Sequence, residues 1–243
     1  MKHQDKVVFV TGAGQGMGQA VVKLFAAEGA KVAAIDINQE AAEATAAACE
    51  GEVIAIACDI ANSESVQGAM AQVKDAFGRL DVVINNAGTG SVDEFLNTPD
   101  ENWDRVIGVN LKGTFLCCRE GARLMVENGG GAIINVSSSA AVSGEGPSHY
   151  VASKAGVMGL TRSIARELAP NGIRVNTLVP GATNTPMMQG IPEEWMQQMI
   201  SAIPMGRMAE PEDVAKVASF LASDDAGFVT GQNIAVNGGM VLI

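Results

Sequence analysis

The chain contains one tyrosine, Tyr150, and a lysine four positions later, Lys154, in His149-Tyr150-Val151-Ala152-Ser153-Lys154. On a helix that spacing sets both side chains on one face, a turn apart. An isolated phenol titrates near ~10, too high to take a proton at neutral pH. A neighbouring ammonium favours the phenolate and draws that value towards the working range. The pair is therefore expected to move a proton, although a Tyr and a Lys one turn apart is also an ordinary helix face. Ser137-Ser138-Ser139 lies a short loop upstream, and a hydroxyl there could hold a substrate oxygen near Tyr150.

A second cluster points to phosphate. Thr11-Gly12-Ala13-Gly14-Gln15-Gly16-Met17-Gly18 follows an apolar run and precedes a helical one. Residues without Cβ let the backbone turn sharply and approach a pyrophosphate, and the next helix presents free N–H groups to it. A plain tight turn uses the same residues. Asp36 ends the next apolar run, eighteen positions beyond Gly18. A carboxylate there can accept hydrogen bonds from an adenosine ribose diol and would repel a 2′-phosphate. Gln15 and Ile37, the neighbours where a cation could clasp that phosphate, are uncharged. This pattern favours NAD over NADP.

These residues need elements to hold them. Lys6–Thr11, Lys31–Asp36, Glu52–Asp59, Leu80–Asn85, Ala132–Ser137, Ile173–Val179 and Asn233–Val236 read as strands. Between them lie amphipathic stretches such as Gly18–Glu28, Gln39–Cys49 and Ser63–Phe77. Strict alternation calls for a parallel sheet covered on both faces, because parallel strands need long crossovers. The expected fold is a doubly wound α/β Rossmann fold with seven parallel strands, a single domain over residues 1–243. Ser137–Ser139 then sits at the carboxyl edge of the sheet, where ligands of such folds bind. Thr98-Pro99-Asp100-Glu101 is expected to open the longest helix, with Thr98 capping, Pro99 first in the helix and Glu101 completing a capping box. Pro180–Glu210 is irregular and rich in Pro, Gly and Met, with a short helix expected at Pro192–Ile200. Residues 183–210 are a candidate substrate lid, and a plain surface excursion is the competing reading.

Composition limits the partners. The chain has 243 residues, 47% of them hydrophobic, and a formal charge of −11. No basic excess is available for nucleic acid or an anionic membrane surface. No apolar run approaches spanning length, and the first one is short and ends in glycines, unlike a signal peptide. A cytoplasmic location is expected. Cys49, Cys58, Cys117 and Cys118 form no CxxC pair and have no histidine nearby, so no metal site is expected.

Taken together, the chain resembles the short-chain dehydrogenase/reductase family, in its shorter single-domain form, over essentially its whole length. Thr11-Gly12-xxx-Gly16-x-Gly18 matches the nucleotide turn, Asn85-Asn86-Ala87-Gly88 the fourth-strand motif, and Asn110 the asparagine of the mid-chain helix. The serine run with Tyr150-xxx-Lys154 matches the active site, and Pro180-Gly181 the turn after the sixth strand. The resemblance implies that Gly12, Gly16 and Gly18 line the pyrophosphate, with Gln15 and Met17 in the same turn. Asp36 beside Ile37 would hold the ribose diol, and Asp59 with Ile60 would border the adenine. Asn86, with Ala87 and Gly88, would meet the adenosine side. Thr183 and Thr185, after Pro180 and Gly181, would contact the nicotinamide carboxamide. Tyr150 would be the acid/base, Lys154 would bind the nicotinamide ribose, and Asn110 would position a water in a relay beginning at Lys154.

The family spaces its substrate serine thirteen positions before the tyrosine, which gives Ser137 here. Aligning the strand favours Ser138 instead, with the following loop one residue short, and Ser138 is the expectation adopted. The implied reaction is reversible hydride transfer between a secondary alcohol or ketone and NAD, without a metal. A homotetramer is implied as well. Met187, Met188, Ile191, Trp195, Met196, Met199 and Ile200 give the candidate lid an apolar face. It either closes over a partly apolar substrate or packs against protein. His149 and Glu145 border the expected pocket and receive no role. The alternatives are an NADP-linked 3-oxoacyl-carrier-protein reductase and, outside enzymes, a dinucleotide-sensing regulator. Asp36 argues against the first, and the intact Tyr150 and Lys154 against the second. Sugar-nucleotide epimerases share the Tyr-xxx-Lys pair but carry a longer substrate domain.

Overall fold

The computed structural model of the chain describes residues 1–188 and 192–243. Strands β1 (Val7–Thr11), β2 (Lys31–Asp36), β3 (Val53–Ala57), β4 (Val82–Asn85), β5 (Gly131–Val136), β6 (Ile173–Pro180) and β7 (Asn233–Val236) form one sheet in the order β3-β2-β1-β4-β5-β6-β7. Every pairing is parallel. Helices α1 (Gly16–Ala27), α2 (Gln39–Ala47), α3 (Ser63–Phe77), α4 (Asp100–Ile107), α5 (Thr114–Glu127), α6 (Ala140–Ser143), α7 (Ser148–Leu168), α8 (Glu193–Ser201) and α9 (Pro211–Ala222) complete the single α/β domain.

Alternation along β1 explains the two layers of core. Val7 and Phe9 face Val66, Met70 and Val73 of α3 and Leu116 of α5. Val8 and Val10 face Val22 and Phe25 of α1 and Val214 and Leu221 of α9. Since side chains alternate across a strand, a run apolar at every position must be covered on both sides. Asn38 and Asn62 start α2 and α3 by accepting the N–H of Ala41 and Ser65. Gly78, in the left-handed region at φ 77°, ends α3.

All seven expected strands are present, with bounds shifted by a few residues at β3 and β4. The start of α4 differs from expectation. Thr98 stays extended ahead of Pro99, as a residue before proline prefers, and its hydroxyl donates to the carbonyl of Glu94 at 3.0 Å. Pro99 therefore occupies the capping position and the capping box does not form. The helical run that α4 opens is the longest among the described residues, passing through a π-helical stretch, Gly108–Gly113, into α5 and ending at Glu127, although α7, with 21 residues, is the longest uninterrupted α-helix.

The chain leaves β3 at one edge and returns to β4 beside β1. At that reversal the loops after β1 and β4 part to opposite faces and leave a crevice at the carboxyl edge. After β6, the excursion that includes α8 is closed at its base. Thr183 bridges Ala209, Asn184 N–H donates to Ala209 at 2.8 Å, and Ala209 N–H donates to Ala182 at 3.0 Å. Of the apolar residues assigned to this excursion, Met187 and Trp195 are exposed and Met196, Met199 and Ile200 half-buried, while Ile191 lies outside the described residues.

Candidate active site

The crevice between β1 and β4 opens into a cavity of about 640 Å³. Gly12, Gln15, Gly16 and Met17 line it from the first turn, Asp36 and Ile37 from the end of β2, and Asp59 and Ile60 from the loop after β3. Asn86, Ala87 and Gly88 contribute from beyond β4, and Thr185 from beyond β6. Several of its walls were not assigned to the site from the sequence: Cys58, Thr89, Arg105 and Val109.

The glycines divide the labour. Gly12 adopts φ 65°, and a Cβ on it would stand 2.9 Å from Ala87 Cα. Gly18 is absent from the cavity wall, contrary to its expected place. A Cβ there would lie 2.0 Å from the carbonyl oxygen of Gly12, so Gly18 is what lets α1 close onto the turn. Gln15 caps α1 without a side-chain hydrogen bond, and the first turn carries no acidic residue. Its N–H groups are thus left for an anion. Asn86 is spent largely on the turn, its Nδ2 donating to the carbonyls of Thr11 at 3.0 Å and Gly12 at 3.2 Å.

Asp36 has two structural duties. One oxygen accepts Gly14 N–H and the other Asn38 N–H, both at 2.9 Å. A carboxylate offers about four acceptor positions, so both oxygens retain capacity for a diol while holding the turn. An uncapped helix terminus, a glycine cradle and a carboxylate at the far wall together fit an adenine dinucleotide.

Gly88 joins this cavity to the proton-handling residues. A Cβ on it would meet Lys154 Nζ at 3.2 Å and Asn110 Oδ1 at 3.4 Å. Tyr150 and Lys154 share a face of α7, with Nζ 5.9 Å from the centre of the phenol ring. Helix α7 is registered on the sheet by a buried polar ladder. Asn85 donates to Asn135 at 2.8 Å, Asn135 to Thr161 at 2.9 Å, and Thr177 to Thr161 at 2.8 Å. Ser137 is buried and donates to the carbonyl of Lys154 at 2.7 Å. Ser138, whose Oγ accepts Ala140 N–H at 3.2 Å, is the serine that acts on the Tyr150 phenol, favouring its ionised form.

Two features depart from expectation. Burial pushes the Tyr150 phenol above its ordinary value, and the hydrogen bond from Ser138 only opposes that rise. Lys154 does not lower it here, because Nζ lies over the ring and donates to the Val136 carbonyl at 2.9 Å. Burial brings the Lys154 ammonium down to about 8. Asn110 is fully buried within the π-helical stretch, and its amide is committed. Oδ1 accepts Thr89 N–H at 2.8 Å, while Nδ2 donates to Thr89 O at 2.9 Å and Ser153 Oγ at 3.0 Å. Its carbonyl accepts the Thr114 hydroxyl at 2.7 Å.

Pro180, Gly181 and Thr183 stand back from the cavity. A Cβ on Gly181 would strike Asn237, and Thr183 is buried with its hydroxyl donating to Gly181 O at 3.1 Å. Thr185 does reach the nucleotide turn, its Cγ2 lying 3.3 Å from where a Gly16 Cβ would be. Among the described residues no group of His, Cys, Asp and Glu could hold a metal ion, and no helix is long and apolar enough to cross a membrane.

A family model described as enoyl-(acyl carrier protein) reductase matches residues 12–241. A subunit of a hydroxy(phenyl)methylsuccinyl-CoA dehydrogenase from Thauera aromatica is 43% identical, over 98% of each chain. A 3-oxoacyl-acyl-carrier-protein reductase from Thermotoga maritima is 40% identical over 100% of both. A meso-2,3-butanediol dehydrogenase from Serratia marcescens is 38% identical, over 98% of this chain and 96% of its own. With the sheet order, the crevice and the Tyr150–Lys154 pair, these matches mean that the chain belongs to the short-chain dehydrogenase/reductase family.

Proposed function

We propose that the protein interconverts a secondary alcohol and a ketone with NAD, using Tyr150 as acid/base. The observation that carries this reading is the placement of Ser138, Tyr150 and Lys154 beside a dinucleotide-sized cavity, joined to it at Gly88. The nicotinamide supplies or accepts the hydride when bound. The chain's own residues manage the oxygen and its proton. Ser138 donates to the substrate oxygen and steadies it. Tyr150, kept protonated at neutral pH by burial, delivers its proton to a ketone oxygen and takes it back from a hydroxyl in the reverse direction. Lys154, within reach of Gly88, holds the nicotinamide ribose. Asn110 pins the Thr89 loop, and its carbonyl retains a lone pair for a relay water. The excursion over residues 183–210 closes on substrate from above, and Thr185 meets the carboxamide. The assembly is a homotetramer in the cytoplasm.

Asp36 supports NAD, since its remaining lone pairs suit a diol and its charge opposes a 2′-phosphate. The 40% identity to a carrier-protein reductase favours the competing NADP-linked reading. The test follows reduced nicotinamide absorbance with NAD and, separately, NADP across secondary alcohols from short diols and hydroxy acids to cyclic alcohols and sterols. Turnover with NAD that vanishes in Tyr150→Phe and falls steeply in Ser138→Ala is expected. Turnover with NADP alone would overturn the Asp36 argument and install the carrier-linked reductase. Binding of NAD with no turnover anywhere would mean either a substrate outside the panel or the sensing role.

A further inference from the structure

The loop that follows Asn86-Ala87-Gly88 has no regular structure, yet almost every residue of it is pinned. Thr89 is held by Asn110, and its hydroxyl accepts Arg105 at 2.7 Å. Asp93 is held by Asn102, whose Nδ2 donates to both its oxygens at 3.1 and 3.3 Å. Between them the loop passes Tyr150 closely: a Cβ on Gly90 would stand 3.7 Å from Cδ2 of the phenol ring. The backbone at Gly90 and Ser91 is therefore a wall of the space in which a substrate must meet Tyr150.

Among the described residues, that stretch is tied to the Tyr150 helix through His149, whose Nε2 also lies 3.7 Å from Asp93 Oδ2. The imidazole is fully buried, and its Nε2 lies 2.7 Å from Ser91 Oγ. Ser91 has a single proton, which it gives to Asp93. The imidazole must then be the donor, with its proton on Nε2. The other ring nitrogen, Nδ1, is buried without a hydrogen-bond partner. An unpaired buried acceptor is a cost that an apolar residue of the same shape would not carry. A histidine that only filled space here would be a poor choice, whereas one that must donate through Nε2 has a reason to stay.

We infer that His149, through Ser91, is a positioning residue that fixes the Gly90–Ser91 wall against Tyr150 and so limits the size of the smaller substituent on the substrate's carbinol carbon. The inference rests on the alcohol/ketone reading of the site. Its chemistry is steric: a pinned wall rejects added methylenes on that side, and a freed wall accepts them. One excess methylene against a fitted pocket changes kcat/KM by about 10-fold or more.

The experiment has two arms. In the first, kcat/KM is measured with reduced NAD for a graded set of simple ketones, from butan-2-one to octan-4-one, in the wild type, His149→Ala, His149→Gln and Ser91→Ala. A steep decline with the second substituent is expected in the wild type. His149→Ala and Ser91→Ala should flatten it about tenfold through KM. His149→Gln, whose Nε2 can still donate to Ser91, should restore it. An unchanged slope, or one uniform loss of kcat for every ketone, would overturn the inference. The second arm needs no turnover. Amide hydrogen exchange over residues 90–93 should quicken about tenfold, the value of one lost hydrogen bond, in His149→Ala and not in His149→Gln. Equal exchange in all variants overturns the latch. Faster exchange in a protein that reduces no ketone would sink the proposed reaction and leave the latch standing.

Discussion

Burial drives the titrations of Lys154 and Tyr150 apart. Burial lowers the first to about 8 and raises the second above its ordinary phenol value. Below about 8 the site therefore holds a protonated phenol beside an ammonium, the state that donates a proton to a ketone. As pH rises through that value the ammonium is lost first. Ketone reduction by the wild type should hold from neutral pH to about 8 and then decline, read as kcat against pH. A profile flat to pH ~10, where an ordinary phenol ionises, would remove the Lys154 charge from the chemistry. The four-residue spacing of this pair was legible in the chain. The direction of the tyrosine's shift was not, because desolvation comes from walls contributed by distant segments. The same holds for His149, whose partner Ser91 is 58 positions away, and for Asn110, whose commitments to Thr89 and Ser153 span 21 and 43 positions.

Among the elements, strands announced themselves best. Runs such as Val7–Thr11 and Val82–Ile84 are apolar or β-branched throughout and have few alternatives to a buried strand. The starts of α2 and α3 were legible from amphipathic spacing, and the start of α4 was misleading at Thr98, where proline dictates the geometry. The π-helical stretch around Asn110 left no sequence signal, since it is a shift in backbone hydrogen bonding rather than in side-chain pattern. Gly18 belongs to this scale, because it sets how closely α1 approaches the turn after β1. A methyl group 2.0 Å from the Gly12 carbonyl cannot be accommodated without moving the helix. Gly18→Ala should cost about 3 kcal/mol or more, which for a chain of this size is roughly 6–12 °C in Tm. A thermal melt within a degree of wild type would show that the helix yields freely.

At the level of the molecule, the first residues are strapped to the far end of the chain. His3 is buried, stacks on Phe25 with ring centres 4.5 Å apart, and reaches Ser219 Oγ at 3.1 Å across 216 positions. Nothing in the local sequence marks that pairing. Burial lowers the His3 pKa from 6.5, against a partial opposing pull from Glu28. A histidine with a depressed folded value favours the native state above 6.5 and loses that contribution as pH falls from there towards the lowered value. Between pH 7 and 5 the Tm of the wild type should thus drop further than that of His3→Gln, by melts in matched buffers. Parallel losses would show that the imidazole is not what responds. The base of the excursion after β6 works on the same scale. Because Thr183 and Ala209 are already joined, the ends of everything between them are held a bond's length apart by the scaffold. Doubling the length of such a segment costs only about 0.6 kcal/mol in closure entropy. Beyond Thr185, Pro186 and Met187, which wall the dinucleotide crevice, the excursion is therefore a replaceable cassette: a segment of different length or chemistry can be spliced in while the sheet and the Tyr150 helix carry on unaltered.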